Sequence, residues 1–278
     1  MRYCINFYGE QIDLLNEVDE INIDISKLKE IKDLEEFCEL HKNQRINLCI
    51  NNYEDAINKQ YLEYVFEVQK KLDKYDIAIR LPGWDTKFCP NLKEKYPKSK
   101  IFFNIYVIDW DNLWDCINHN VSDIYIAEAM GFELDKIAPL LHKRNIRIRV
   151  FPNVAQAAAT TTSGILKFWI RPEDIEVYEP YIDVCEFYGE YEKQNIYYDI
   201  YTKDKKWVGN LKEIIIGLNE DIINTTLLPR FARKRIKCDR ECMKNDKCHM
   251  CQRILELSET LDKSNLRIAI DKEENNNG

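Results

Sequence analysis

Short runs rich in Ile, Val, Phe and Tyr recur at a nearly regular interval along the first two thirds of the chain. Each run is largely apolar throughout, which is typical of strands that are covered on both faces of a parallel sheet. Eight such runs begin at Ile21, Ile46, Ile77, Ile101, Ile124, Ile146, Phe168 and Ile182. The pattern therefore predicts eight strands.

Amphipathic stretches separate several of these runs. Residues 27–42, 62–72 and 134–141 each place their apolar side chains on one helical face. Strands that alternate with such helices are parallel and are joined by right-handed crossovers, and eight of them predict an α/β fold of the (β/α)8 TIM-type barrel class. An open doubly wound sheet is the alternative, but that fold more often has a glycine-rich first turn.

The regular alternation weakens in two places, and the role of the opening run is ambiguous. Residues 152–164 contain a Thr run that forms helix poorly, and residues 172–181 are barely long enough for a crossover, so the barrel is expected to be irregular near its seventh unit. The opening run YCINFY is either an extra strand at the barrel floor or the true first strand. We expect the barrel and a connector over 1–229, a basic metal-binding module over 230–262, and a tail over 263–278 with a disordered end.

Composition narrows the function classes. The chain has 278 residues, is 45% hydrophobic and carries a net charge of -8, which suits one large barrel and disfavours generic coating of nucleic acid. No window approaches the roughly 18 apolar residues of a membrane helix, and the first residues do not resemble a secretion leader. There are only eight glycines and no GxGxxG or P-loop motif, which disfavours dinucleotide and P-loop chemistry.

Histidine and cysteine content points to thiolate chemistry. The four histidines form no HxH or HExxH motif, which disfavours His-ligated hydrolases. Ten cysteines without a leader indicate a reducing compartment, and we expect a cytoplasmic protein. Six of the cysteines are scattered singly and are expected to be small buried hydrophobes.

The other four cysteines form the most specific motif in the chain, C-x3-C-x5-C-x2-C. They are Cys238, Cys242, Cys248 and Cys251. Thiolates on such short tethers are the ligands that zinc and iron–sulfur clusters accept, so we expect a metal centre here rather than disulfides or free thiols. The spacing leaves both a 4Fe–4S cluster and zinc open.

Basic residues surround these cysteines. Residues 230–247 contain eight Lys or Arg and three Asp or Glu, a local charge of +5. Nearby cations stabilise metal-bound thiolates. The same segment either contacts RNA or DNA phosphates or is a solvated linker face.

Polar residues follow several of the predicted strands. In barrels of this class the reacting groups stand at the carboxyl ends of the strands, so we expect these side chains to meet at one mouth. The catalytic candidates are Glu128, Arg171 and Glu186, and the candidates for substrate binding are Arg80, Asn104, Asn153 and Trp84. For each charged candidate the alternative is a structural ion pair.

Three stretches, together with the four cysteines, resemble the collagenase-like peptidase family. They are SDIYIAEAMGFELDKI (122–137), IRIRVFPNVAQ (146–156) and FWIRPEDIEVYEPYIDVCEF (168–187). The resemblance implies a barrel and, as in several members, an oxygen-independent hydroxylase that holds a 4Fe–4S cluster on four cysteines. Those cysteines are spread more widely in the family than here.

The expected function is therefore an iron–sulfur hydroxylase, or a related redox enzyme, acting on an RNA base or a small aromatic molecule. One alternative is a zinc-stabilised nucleic-acid-binding protein without catalysis. A peptidase-like hydrolase is the other. Neither membrane insertion nor a particular oligomeric state is expected from the sequence.

Overall fold

The computed structural model describes residues 1–7, 13–27, 31–82, 92, 94–104, 106–107, 109–126, 133–154, 170–203, 207, 209–216, 223–224, 233 and 236–237. The chain forms two compact units. The barrel unit is Met1–Met130, Leu134–Phe151 and Glu179–Phe187, and the second unit is Gly131–Glu133, Pro152–Tyr178 and Tyr188–Gly278. Among the described helices, none combines the length and the apolar character that crossing a bilayer requires.

Parallel strands form a nearly closed barrel in the barrel unit. They are β1 (Arg2–Phe7), β2 (Glu20–Asp24), β3 (Arg45–Cys49), β4 (Ile77–Pro82), β5 (Lys100–Asn104), β6 (Tyr106–Val107), β7 (Asp123–Ile126), β8 (Arg147–Val150) and β9 (Val184–Glu186). Their order is β5-β4-β3-β2-β1-β9-β8-β7-β6. Because β5 and β6 are successive pieces of one stretch, which pair with β4 and β7 respectively, the strands amount to eight and the order returns to its start.

Strand pairing decides between the two readings of the opening run. β1 pairs in parallel with both β2 and β9, so it is the first strand of the barrel. The prediction of a strand at 168–171 is wrong for its described part, because Ile170 and Arg171 lie in no strand. β8 pairs directly with β9, which leaves no place for a strand between them. The predicted count of eight holds because the opening run supplies the missing strand.

Helices connect most of these strands. In the barrel unit they are α1 (Ile31–Leu40), α2 (Tyr53–Ile57), α3 (Lys59–Lys71), α4 (Trp110–Asn118) and α5 (Leu134–His142). The predicted amphipathic stretches are confirmed by α1, α3 and α5. Local polar residues fix where helices begin: the Asn58 side chain accepts hydrogen bonds from two backbone N–H groups of α3, and Asp109 accepts one in α4.

Apart from one helix of 12 residues, the described elements of the second unit are short. They are a 3-10 helix (Pro172–Asp174), α6 (Ile175–Tyr178), α7 (Tyr191–Thr202), β10 (Gly209–Asn210), α8 (Leu211–Ile214) and β11 (Ile223–Asn224), which pairs antiparallel with β10. The buried Tyr201 hydroxyl donates to the carbonyl oxygen of Ile170 at 2.7 Å and lies 3.1 Å from that of Pro152. In its described part, the chain between β8 and β9 has only the 3-10 helix and α6, whereas the β2–β3, β3–β4, β6–β7 and β7–β8 crossovers each contain a helix of 9 to 13 residues.

The two faces of the barrel strands differ in chemistry. One face carries buried aliphatic side chains such as Ile21, Ile46 and Ile148, and each such burial contributes about 1.5–3 kcal/mol. The alternate positions face the barrel interior, where Glu20 and Arg149 are fully buried. The strands are therefore not apolar on both faces, as the sequence pattern suggested: the interior of the barrel is largely polar and charged.

Candidate active site

Seven charged side chains linked by ion pairs occupy the barrel interior, and we call them the buried ionic network. They are Glu20, Arg45, Arg80, Asp123, Arg147, Arg149 and Glu186. The interior of such barrels is ordinarily filled by layers of branched aliphatic residues. A charged interior is costly to desolvate, so the geometry of these ion pairs decides what they do.

The amino-end half of the network begins at the first residues of four strands. Glu20, Arg45, Asp123 and Arg147 open β2, β3, β7 and β8, and the parallel register places them at one end of the barrel. Arg45 Nη2 lies 2.9 Å from Asp123 Oδ2, and Arg147 Nε lies 2.8 Å from Asp123 Oδ1. Arg147 also donates to Glu20. Each carboxylate therefore contacts more than one guanidinium.

These arginines hold both carboxylates in the ionised form. Burial alone would raise the pKa of Glu20, but Arg149, Arg147 and Arg45 outweigh it and lower that pKa to about 2. Burial likewise opposes ionisation of Asp123, and the same three arginines lower its pKa well below the usual range. The amino-end half is thus a set of permanent charges.

The carboxyl-end half is centred on Glu186, the last residue of β9. Its Oε1 accepts hydrogen bonds from Arg80 Nη1 at 2.7 Å and Asn22 Nδ2 at 2.8 Å. Its Oε2 accepts from the Tyr125 hydroxyl at 2.6 Å and from Arg149 Nη2 at 3.1 Å. All four lone-pair positions of the carboxylate are therefore occupied. This arrangement makes Glu186 a group that positions Arg80 and Tyr125.

Arg149 joins the two halves. Its Nη1 lies 2.7 Å from Glu20 Oε2, while its Nη2 contacts Glu186. The guanidinium carbon also lies 4.9 Å from the ring centroid of Phe102 and 5.7 Å from that of Tyr125. Such cation–π contacts are strongest when desolvated, as here. Tyr125 in turn stacks on Phe151 with centroids 4.9 Å apart, which fixes the ring beside Glu186.

The network carries excess positive charge. Four guanidiniums face three carboxylates, which leaves +1. Burial raises the pKa of the Tyr125 hydroxyl and of the Cys4 thiol, so these two neighbours stay protonated and add no negative charge. The half-buried Asp24 accepts hydrogen bonds from Ser26 and Asn51.

The structure brings together only part of the predicted site. Arg80 and Glu186 form the ion pair just described, and Asn104 lies exposed at the last position of β5. Arg171 and Asn153 belong to the second unit. Glu128 and Trp84 lie outside the described residues, so their predicted roles stay predictions.

Within the second unit, both predicted residues have local partners. Arg171 Nε lies 2.7 Å from Asp174 Oδ2, and Arg171 Nη1 lies 3.2 Å from Glu173 Oε1. The Asn153 side chain exchanges two hydrogen bonds with the backbone of Tyr188. Arg171 therefore has ion-pair partners close along the chain, and its predicted catalytic role stays a prediction.

The predicted metal ligands Cys238, Cys242, Cys248 and Cys251 lie outside the described residues, as does most of the basic segment. The part of the chain that the structure describes contains no group of three or more His, Cys, Asp or Glu that could hold a metal. Five of the six scattered cysteines are buried thiols, as predicted: Cys4, Cys38, Cys49, Cys116 and Cys185. Cys89 is not among the described residues.

Most of the network was missed from the sequence. The predicted reactive groups stand at the carboxyl ends of the strands, and the missed residues lie before those ends: Glu20, Arg45, Asp123, Arg147 and Arg149. The pattern that locates them is alternation, visible in EINID, RINLC, DIYI and RIRV, where the polar residues stand only at alternate positions. Alternation with period two places those side chains on one face of each strand.

Comparisons with known proteins identify no family. No protein-family model and no curated protein matches the chain. Among solved structures, the U32 peptidase Mk0906 aligns with a TM-score of 0.42 and 9% identity, covering 68% of this chain and 93% of that chain. A mutant β-1,3-glucanosyltransferase of Rhizomucor miehei aligns with a TM-score of 0.36 and 11% identity, covering 68% and 86%.

Proposed function

We propose that the chain is an enzyme whose substrate binds at the carboxyl end of the barrel. In this proposal it is an iron–sulfur-dependent, oxygen-independent hydroxylase or a related redox enzyme. Its substrate is an RNA base or a small aromatic molecule. The observation that supports the proposal is the buried ionic network. It occupies positions where barrels of this class ordinarily have aliphatic side chains, and Arg80 extends it towards the carboxyl end.

Burying charged side chains inside the barrel costs free energy of desolvation. Well-packed apolar residues of similar volume are often as stable as a buried ion pair, or more stable by 1–4 kcal/mol. A network of seven charged groups is therefore weak evidence for stability alone. At the carboxyl end, burial raises the pKa of the Tyr125 hydroxyl well above its ordinary value. Buried groups with perturbed pKa values cluster at functional sites, and the carboxyl end is where active sites of this barrel class lie.

The residues of the carboxyl-end half have different roles in substrate binding. Arg80 contacts the substrate, and Glu186 holds it in place by the 2.7 Å ion pair. The Tyr125 hydroxyl completes this arrangement by donating to Glu186 and accepting from Arg80 Nη1 at 3.3 Å. Asn104, at the end of β5, is a further candidate for substrate contact.

The cofactor proposal rests on the donor set in the sequence. Four thiolates at Cys238, Cys242, Cys248 and Cys251 are what a 4Fe–4S cluster requires, and the basic residues of 230–247 offset the charge of such a centre. When bound, the cluster supplies one-electron redox chemistry. The resemblance of three stretches to the collagenase-like peptidase family favours this choice over zinc.

The cofactor is tested on full-length protein purified without oxygen. We expect a brown protein with a broad visible absorption band and about four iron atoms per chain. Cys248→Ala should lose the band and the iron, whereas the control Cys38→Ala, at a buried position of α1, should keep both. A colourless protein with bound zinc would contradict the proposal and favour the zinc-stabilised nucleic-acid-binding alternative.

The reaction is tested by mass spectrometry of nucleosides and of small aromatic metabolites. Cells that contain the wild-type chain should show a product heavier by one oxygen atom, formed without O2. Cells with Arg80→Gln or Cys248→Ala should lack it. A product that persists in the Arg80→Gln cells would contradict the placement of the site.

A further inference from the structure

Arg80 uses only one part of its guanidinium within the barrel. Its two hydrogen bonds in the described ranges, to Glu186 and Tyr125, both leave from Nη1. Its Nε is buried and has no hydrogen-bond partner there. Nε and Nη2 form the edge of the guanidinium that binds a carboxylate or phosphate through two parallel hydrogen bonds. Among the described residues, no hydrogen bond leaves from this edge.

Leaving such a donor buried is costly. The Arg80 side chain is only 9% exposed, so water satisfies little of it. A buried donor without a partner costs about as much as its full desolvation, which a bound acceptor would recover. The net charge of the network also favours a bound anion, because the network contains four guanidiniums and three carboxylates.

The position of Arg80 distinguishes it from the other arginines with a buried, unpartnered Nε. Arg149 is fully buried, and both of its Nη atoms are engaged by carboxylates. Arg45 is the first residue of β3 and lies at the amino end of the barrel. Arg80 is the fourth residue of β4, two before the strand ends. An acceptor that arrives from the carboxyl end is therefore the candidate partner for its unpaired Nε.

We infer that this end of the barrel binds an oxyanion, a carboxylate or phosphate group of the substrate, side-on through Nε and Nη2 of Arg80. The inference rests on the proposed site and adds the chemical class of the group that it recognises. A phosphate would come from a nucleotide or an RNA backbone, and a carboxylate from a small aromatic acid. Glu186 and Tyr125 set the angle at which the edge of Arg80 meets the oxyanion.

The test is calorimetric titration of the full-length protein at low salt with two probes, inorganic phosphate and benzoate. We expect at least one probe to bind with a Kd of about 1 mM or tighter. Preference for phosphate indicates a nucleotide or RNA substrate, and preference for benzoate an aromatic acid. Absence of binding by both probes would overturn the inference.

Two variants show whether Arg80 is responsible. Arg80→Lys keeps the charge and the ion pair with Glu186 but lacks the two-pronged edge, so binding should weaken about 10-fold or more. The control Arg144→Gln removes an exposed charge after α5 and should change the Kd less than about twofold. Circular dichroism checks that both variants are folded. Equal affinities for the wild type and Arg80→Lys would overturn the inference.

This experiment separates the inference from the proposed function because neither probe requires the cofactor. A colourless zinc protein with Arg80-dependent binding would overturn the iron–sulfur proposal and support the oxyanion site. An iron-containing protein without such binding would do the reverse.

Discussion

The two halves of the buried ionic network use the same residue types but pair them differently. At the amino end, Asp123 contacts three arginines, and Arg147 bridges Asp123 and Glu20. At the carboxyl end, Glu186 is satisfied by four donors, but Arg80 keeps one edge unpaired. In each half one arginine Nε lacks a partner among the described residues, Arg45 at the amino end and Arg80 at the carboxyl end. The carboxyl-end half differs in lying where ligands enter barrels of this class.

We therefore expect the amino-end half to contribute mainly to the stability of the barrel and the carboxyl-end half mainly to ligand binding. A charge held by several partners is expensive to remove, because the remaining charges stay buried without compensation. A group with an unused donor edge contributes less to folding and more to recognition. Substitutions at the amino end should therefore change mainly the free energy of unfolding, and substitutions at the carboxyl end mainly binding.

The largest effect is expected from Asp123→Asn. It leaves Arg45 and Arg147 without their shared carboxylate, so the free energy of unfolding should fall by about 3–5 kcal/mol. Urea denaturation measures it. The control is Asp76→Asn, whose carboxylate pairs with Lys100 and is 40% exposed, and it should cost less than about 1 kcal/mol. Similar costs for the two variants would show that the shared charges of the amino-end half do not stabilise the barrel.

A second effect concerns the pH dependence of stability. The pKa of Glu20 is lowered from 4.5 to about 2 in the folded protein, so its contribution is fully present above pH 4.5 and is lost as pH falls towards 2. That contribution is about 3 kcal/mol.

The measurement compares the wild type with Glu20→Gln by urea denaturation at pH 7 and at about pH 2.5. The difference in stability should be large at the higher pH and mostly gone at the lower. Glu67→Gln, on the exposed face of α3, is the control and should differ little from the wild type at either pH. A Glu20→Gln difference that is independent of pH would contradict the assigned ionisation.

A smaller effect is expected from Tyr125→Phe at the carboxyl end. The variant removes one of four donors to Glu186 and keeps the ring stacked on Phe151, so it should cost about 2 kcal/mol. Tyr75→Phe is the matched control, since it removes an exposed hydrogen bond to Glu39. If both variants cost the same in urea denaturation, the Tyr125 hydroxyl does not hold Glu186 in place.

The smallest effect on stability is expected from Asn104→Ala. This side chain is exposed at the end of β5, so the free energy of unfolding should change by less than about 0.5 kcal/mol. Any loss of substrate affinity in this variant is then a lost contact. A destabilisation above about 1 kcal/mol would show that Asn104 supports the barrel instead.

The barrel itself was predictable because its outer face is regularly apolar. Runs such as those at Ile21 and Ile46 gave the strands, and the amphipathic stretches gave α1, α3 and α5. The run at Phe168 misled because aromatic and branched residues favour strands wherever they occur. The pairing of β8 with β9 shows that the barrel has no place for a strand at Phe168. Such pairing depends on residues far apart in sequence.

The candidate site was predictable only at its carboxyl end. Arg80 and Glu186 were found because they stand near strand ends, but no rule of spacing joins residues that are 106 positions apart. The charges at the amino end were overlooked because polar residues within an apolar run were not assigned to one face. Polar residues at alternate strand positions lie on one face, and the assignment of that face to the barrel interior would have located Glu20, Asp123 and Arg147.

One comparison tests most directly the claim that the two ends of the network serve different purposes. Arg80→Lys and Arg147→Lys make the same chemical change at opposite ends, and each is titrated calorimetrically with inorganic phosphate. The account predicts a Kd raised about 10-fold or more by Arg80→Lys and changed less than about twofold by Arg147→Lys. Equal weakening by the two variants, or weakening by Arg147→Lys alone, would contradict it.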